Sequence, residues 1–125
     1  MDYNDRVTTK IPVKELRGAW AEILAAEHLE QAGLKILERN YRIRGGEIDL
    51  IAIDPSQTTV FIEVKQRTST SHGTAGEFIN ARKAALIRRA ALYYLGRDDL
   101  PCRFDAVLIE GARANPKLTW LQDVF

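Results

Sequence analysis

The chain has 125 residues, 46% of them apolar and 28% charged, with a formal net charge of +1 at pH 7. That length bounds one ordinary globular domain with a core of its own, and near-neutrality excludes a protein that grips nucleic acid by overall charge; any such site has to come from local clustering. The one cysteine, Cys102, excludes an internal disulfide and suits a reducing cytoplasm. No apolar run approaches the roughly 20 residues of a membrane-spanning helix, and the polar opening MDYNDRVTTK lacks the apolar centre of a secretory signal. The expected location is cytoplasmic, with no membrane partner.

Residues 1–12 show no periodicity and read as an N-terminal tail; residues 13–125 read as a single domain. From Val13 to Ala32 apolar residues recur at helical spacing (Leu16, Ala19, Trp20, Ile23, Ala26), and Gly33 fits the position just past a helix end. LKILERNYRI follows as a strand and Gly45-Gly46 as a turn. EIDLIAI and TVFIEVK are the strongest strands, separated by the turn-rich DPSQT. RTSTSHGTAGE is a polar loop carrying His72. A second helix runs from about Phe78 to Leu95, with Leu86, Ala90 and Tyr93 on one side, and stops at Gly96. RFDAVLIE is a strand, GARANP a loop and KLTWLQDVF a closing strand. The order α-β-β-β-α-β-β describes an α/β domain with a mixed central sheet flanked by helices.

The two central strands pose a question, because Glu47, Asp49, Glu63 and Lys65 are embedded among isoleucine, leucine, valine and phenylalanine. Folding the hairpin about Ser56 sets Asp49 opposite Glu63, Ile51 opposite Phe61 and Glu47 opposite Lys65. Opposed residues have Cβ atoms about 4.5–5.5 Å apart, so two carboxylates there repel, and apolar neighbours make ionisation costlier. Either Lys65 or a divalent cation could offset that. Hard oxygen ligands on two strands suit Mg²⁺ or Mn²⁺, with the Val64 carbonyl as a further oxygen. His28, His72 and Cys102 lack the spacing of a zinc site. The plainer alternative is a solvent-facing sheet surface with ordinary cross-strand charge pairs.

An aspartate on one strand and Glu-x-Lys on the next resembles the restriction-endonuclease-like (PD-(D/E)xK) nuclease superfamily. More closely, RGAWAEILAAEHLEQAGLKILERNYRIRGGEIDLIA, VFIEVKQR and CRFDAVLIEG are similar to the YraN-like family, an uncharacterised family with a predicted Holliday-junction-resolvase-like nuclease fold. The likeness spans nearly everything from Arg17 to Gly111. It implies a restriction-endonuclease-like core, metal-dependent cleavage of DNA (branched or junction DNA among the substrates) and Mg²⁺ or Mn²⁺ as cofactor. A homodimer would suit such two-fold substrates. By position Asp49 and Glu63 match the metal carboxylates, Lys65 the catalytic lysine and Glu22 the additional helix glutamate of resolvase-like members. Ile48 stands where the superfamily motif has proline, and Ala21 where relatives often have glycine.

Basic residues flank this constellation. Arg39, Arg42 and Arg44 precede it, Arg67 follows it, and Arg82, Lys83, Arg88 and Arg89 load the second helix. One such residue is ordinarily part of a solvated face, but two clusters around one acidic site suit phosphate contacts. Tyr41, beside the arginines, could stack on a base. Trp20, Tyr93, Tyr94 and Trp120 read as core or interface, and Cys102 as a structural thiol before the fourth strand. A non-catalytic nucleic-acid-binding or interaction module on a nuclease scaffold would keep these same clusters, so that alternative stays open beside the nuclease. A purely structural partner-binding protein would need neither metal nor phosphate.

Overall fold

The computed structural model describes residues 13–67 and 79–125, with side chains from Ala19 onward. The expected N-terminal tail, the His72 loop and Phe78 lie outside the described residues. The elements are helix α1 (Val13–Gln31), strands β1 (Lys35–Ile43), β2 (Gly46–Ile53) and β3 (Thr59–Arg67), helix α2 (Ala81–Leu95), and strands β4 (Cys102–Glu110) and β5 (Lys117–Leu121). They form one sheet in the order β1-β2-β3-β4-β5. Strands β3 and β4 are parallel, joined through α2, and the other neighbours are antiparallel. This is the expected α/β arrangement.

Local chemistry sets the boundaries. Gly33, at φ 99°, takes the left-handed turn that ends α1. Helix α2 starts where the Asn80 side chain accepts from the Lys83 N–H at 2.9 Å, a capping bond that satisfies a donor with no partner inside the helix. It stops at Gly96, whose N–H reaches the Leu92 carbonyl at 2.8 Å. In the β2–β3 turn, Asp54 Oδ1 accepts from the backbone of Ser56 at 2.9 Å and Thr58 at 3.0 Å, the side-chain mimic of a backbone turn that aspartate favours.

Each face of the sheet carries one helix. Ala21, Ala25, Ala26 and Leu29 of α1 pack on Leu50, Ala52, Val60, Ile62, Val107 and Ile109. On the opposite face Ile87, Ala90 and Ala91 of α2 pack on Ile48, Ile51 and Phe61. Burying a side chain as large as Leu29 or Phe61 contributes roughly 1.5–3 kcal/mol relative to exposing it. The inward stripes therefore differ from expectation. Ile23 is 51% exposed and Tyr93 68% exposed, because alanines line the inner faces and bring the helices close, while the bulk points outward. Tyr41 and Tyr94 instead meet edge to face, centroids 5.2 Å apart, and Tyr94 also packs on Phe61. Tyr41 thus packs, partly buried, against the α2 side of the sheet.

The closing strand is shorter than expected, ending at Leu121. Beyond it the backbone turns at Asp123, φ 57°; the Asp123 N–H donates to Asp105 Oδ1 at 2.9 Å and the Val124 N–H to the Phe104 carbonyl at 2.7 Å. Phe125 then stacks on Phe104, centroids 4.9 Å apart. Asp105 also accepts from Arg103 Nε at 3.1 Å and Trp120 Nε1 at 2.9 Å, so this buried carboxylate ties the C-terminal segment to β4. Cys102 opens β4 and is exposed, where a structural thiol ahead of the strand was expected.

Candidate active site

The hairpin register is the expected one: β2 and β3 pair from Ile53–Thr59 through Ile51–Phe61 to Leu50–Ile62. The ladder ends there, one step before Asp49 and Glu63. Side-chain alternation breaks at the same place, since Ile48 and Ile51 both pack against α2 while Leu50 packs on the α1 side. Asp49 sits at the break, and its Oδ2 accepts from the Val64 N–H at 2.8 Å, where a strand carbonyl would otherwise bind. The two carboxylates therefore meet at a fork between strands and not as an opposed ladder pair. On the other side of β2, Arg39–Leu50 and Tyr41–Ile48 pair normally, and Asn40 between them has φ 52°, a left-handed conformation that asparagine tolerates better than most residues. The sheet is irregular on both sides of Asp49.

The fork opens into a cleft of about 950 Å³ bounded by α1, the β1–β2 hairpin, the end of β3 and the start of α2. Glu22, Asp49, Glu63, Val64 and Lys65 all line it, together with Asn40, Arg42 and Lys83. Burial raises the Asp49 pKa from 3.8 to about 8; the Glu63 charge adds to the rise, the Val64 N–H opposes it, and Glu22 and Glu47 raise it further. Glu63 is nearly enclosed, its side chain 7% exposed, and its Oε2 lies 2.8 Å from Lys83 Nζ. Lys65 is exposed at the mouth. Among the described residues no group of three or more carboxylate, imidazole or thiolate side chains is arranged to hold an ion by itself.

Residues 21–109 match the model of Uncharacterised protein family UPF0102. The chain belongs to that family. A UPF0102 protein of Deinococcus radiodurans is 54% identical over 84% of this chain and 89% of its own length; one from Dechloromonas aromatica is 50% identical over 87% and 88%. A relative in Colwellia psychrerythraea is 37% identical over the full length of both. Among solved structures, a repair endonuclease from Pyrococcus abyssi is similar with TM-score 0.46 and 17% identity, over 90% of this chain and 42% of that one. That likeness is too slight to argue from.

In this UPF0102 member the basic residues divide. Arg42 lines the cleft, with Nε 3.4 Å from Glu47 Oε2 across the β1–β2 pair; Glu47 thus meets Arg42 where Lys65 was expected opposite it. Lys83, expected among the phosphate contacts, turns inward onto Glu63. Arg88 lies over the Phe125 ring at 5.0 Å, so it packs as well as carrying charge. Arg89 reaches the hairpin turn, Nη1 3.9 Å from where a Cβ on Gly45 would stand. Arg39, Arg44 and Arg82 are exposed but do not line the cleft, and Arg67 ends β3 with its carbonyl accepting from the Gly111 N–H at 2.8 Å.

Asn40 and the Lys83–Glu63 pair went unread in the sequence, and Gly46, read as part of a turn, opens β2 instead. A Cβ on Gly46 would stand 3.0 Å from the Leu86 carbonyl, so glycine lets the hairpin touch α2. The Lys83 position had a signal: it lies one turn before Ile87, on the stripe that buries Ile87, Ala90 and Ala91. No helix among the described residues is long and apolar enough to cross a membrane.

Proposed function

We propose that the cleft is the active site of a metal-dependent DNA endonuclease with a restriction-endonuclease-like core. The observation that carries this reading is the fork itself: Asp49, drawn out of its ladder onto the Val64 N–H at 2.8 Å, beside the enclosed Glu63. Two carboxylates in so poorly hydrated a place oppose ionisation, and a cation between them removes that cost. Asp49, Glu63 and the Val64 carbonyl would hold Mg²⁺ or Mn²⁺, with Glu22 on the facing wall. Bound there, such an ion polarises a phosphate oxygen and lowers the pKa of a ligated water.

The chain's own groups then have distinct tasks. Phosphodiester hydrolysis forms one P–O bond from water and breaks one to a sugar oxygen, which takes up a proton. Lys65, two residues beyond Glu63 and open to solvent, positions the attacking water or stabilises the charge that grows on the phosphoryl oxygens. Arg42 in the wall, together with the exposed Arg39, Arg44, Arg82 and Arg89, would hold the flanking phosphates and so orient the strand. A cytoplasmic site of action suits this substrate.

One observation favours the rival, a nucleic-acid-binding scaffold without turnover: Glu63 already has an ammonium at 2.8 Å, which a permanently metal-free protein would keep. Cleavage of branched, single-stranded and duplex DNA with Mg²⁺ or Mn²⁺ separates the two. The nuclease reading predicts metal-dependent nicking lost in Asp49→Ala; DNA binding without cleavage on every substrate establishes the rival.

A further inference from the structure

Lys83 reaches into the acidic site from the first turn of α2. Its Nζ lies 2.8 Å from Glu63 Oε2, and the two ends of that pair are unlike: the Glu63 side chain is 7% exposed, that of Lys83 43%. The carboxylate is fixed in the floor while the ammonium reaches it from the mouth. The Lys83 backbone is anchored by the Asn80 cap at 2.9 Å, while its side chain remains 43% exposed. Water is available to receive the ammonium when it leaves, so an exchange there does not strand a charge in the interior.

We propose, resting on the reading of Asp49 and Glu63 as a cation site, that Lys83 is an exchangeable counter-ion. Its ammonium neutralises Glu63 until a divalent ion takes the carboxylate, and it then moves to the phosphate of the bound nucleic acid. Repulsion between two cations on one carboxylate favours the exchange. An ion ligated to Glu63 at the 2.0–2.1 Å typical of Mg²⁺ would share the cleft with an ammonium of the same sign on the same carboxylate. The phosphate that arrives beside the metal brings the negative charge to hold the displaced ammonium. Lys83 therefore weakens metal binding to the free protein and strengthens it once nucleic acid is present, a positive coupling between the two ligands.

The test is calorimetric titration of Mn²⁺ into the full chain, for wild type, Lys83→Met, Lys83→Arg and Asp49→Asn. Each titration is run with and without a short phosphorothioate duplex, beside thermal midpoints in chelator and in Mn²⁺. Without DNA, Lys83→Met binds Mn²⁺ about tenfold more tightly than wild type, the equivalent of about 1.4 kcal/mol; Lys83→Arg stays near wild type and Asp49→Asn loses the binding. With the duplex the gap between wild type and Lys83→Met narrows. In chelator the Lys83→Met midpoint falls, and Mn²⁺ raises it by more than it raises wild type; a variant that folds only in Mn²⁺ supports exchange equally. Equal or weaker Mn²⁺ binding by Lys83→Met overturns the role of Lys83 alone, as does a variant that folds in neither condition. Absence of Mn²⁺ binding in every protein overturns it together with the cation site.

Discussion

The molecule encloses carboxylates in two places and treats them oppositely. Asp105, 1% exposed, is surrounded by donors: Arg103 at 3.1 Å, Trp120 Nε1 at 2.9 Å and the Asp123 N–H at 2.9 Å, with Arg103 held in turn by Asp54 at 3.0 Å. Asp49 and Glu63 face each other, with Glu22 and Glu47 adding negative charge, and Asp49 is pushed up to about 8. Among the described residues no buried side-chain nitrogen or oxygen lacks a hydrogen-bond partner, so satisfaction of hydrogen bonds does not separate the two centres. Sign does. The Asp105 centre brings a guanidinium and neutral donors to one carboxylate and so completes itself, whereas the fork gathers several acids around the Lys83 ammonium on Glu63 and leaves room beside them.

The largest effect should come from breaking the completed centre. Asp105→Asn removes the charge that Arg103 and two N–H donors point toward, and urea unfolding should show a loss of about 3 kcal/mol, the scale of breaking a buried ion pair. Mn²⁺ should restore none of it. Stability unchanged in that variant would mean that Asp105 is not the tie holding the C-terminal segment.

At the fork the sign reverses. A carboxyl raised from 3.8 to about 8 on folding contributes stability that is complete below 3.8 and lost as pH rises through about 8. In chelator the wild-type midpoint should fall across that window, and Asp49→Asn, which cannot ionise, should lack this part of the fall. At pH 9 the variant should be more stable than wild type, while gaining nothing from Mn²⁺. Parallel pH profiles for the two proteins would show that Asp49 is not the titrating group.

The smallest effects separate charge that packs from charge that binds. Arg88→Ala should cost about 0.5–1 kcal/mol through its lost contact with the Phe125 ring and leave DNA affinity nearly unchanged. Arg89→Ala should leave stability alone while weakening DNA binding and flattening its salt dependence by about 0.9 in slope. Salt-dependent binding and urea unfolding of the two variants read both quantities, and interchanged outcomes would reverse the assignments.

Much of this was legible beforehand. The apolar segments GEIDLIAI and TVFIEVK, with the turn at DPSQT, located the hairpin, and the parity that keeps the apolar sets on common faces favoured its register. The carboxylates and Lys65 were identified from that pattern and a family resemblance. What pattern could not supply was the fork. Alternation assumes a regular ladder, and a side chain such as that of Asp49 competing for a backbone N–H ends one locally. Helix faces were misread for a related reason: Ile23 and Tyr93 carry the bulk, but the close approach of helix to sheet selects alanines. Lys83 was read by its charge, when its position one turn before Ile87 directed it inward.

The central claim is that the fork and Lys65 form one cleaving site, and single-turnover cleavage by Lys65→Ala tests it most directly. The variant keeps both carboxylates, so Mn²⁺ should raise its thermal midpoint as in wild type and its DNA affinity should change little. Its cleavage rate should fall roughly a hundredfold or more, the scale of removing one group that stabilises a transition-state charge. Cleavage at the wild-type rate, with Mn²⁺ bound, would contradict the account.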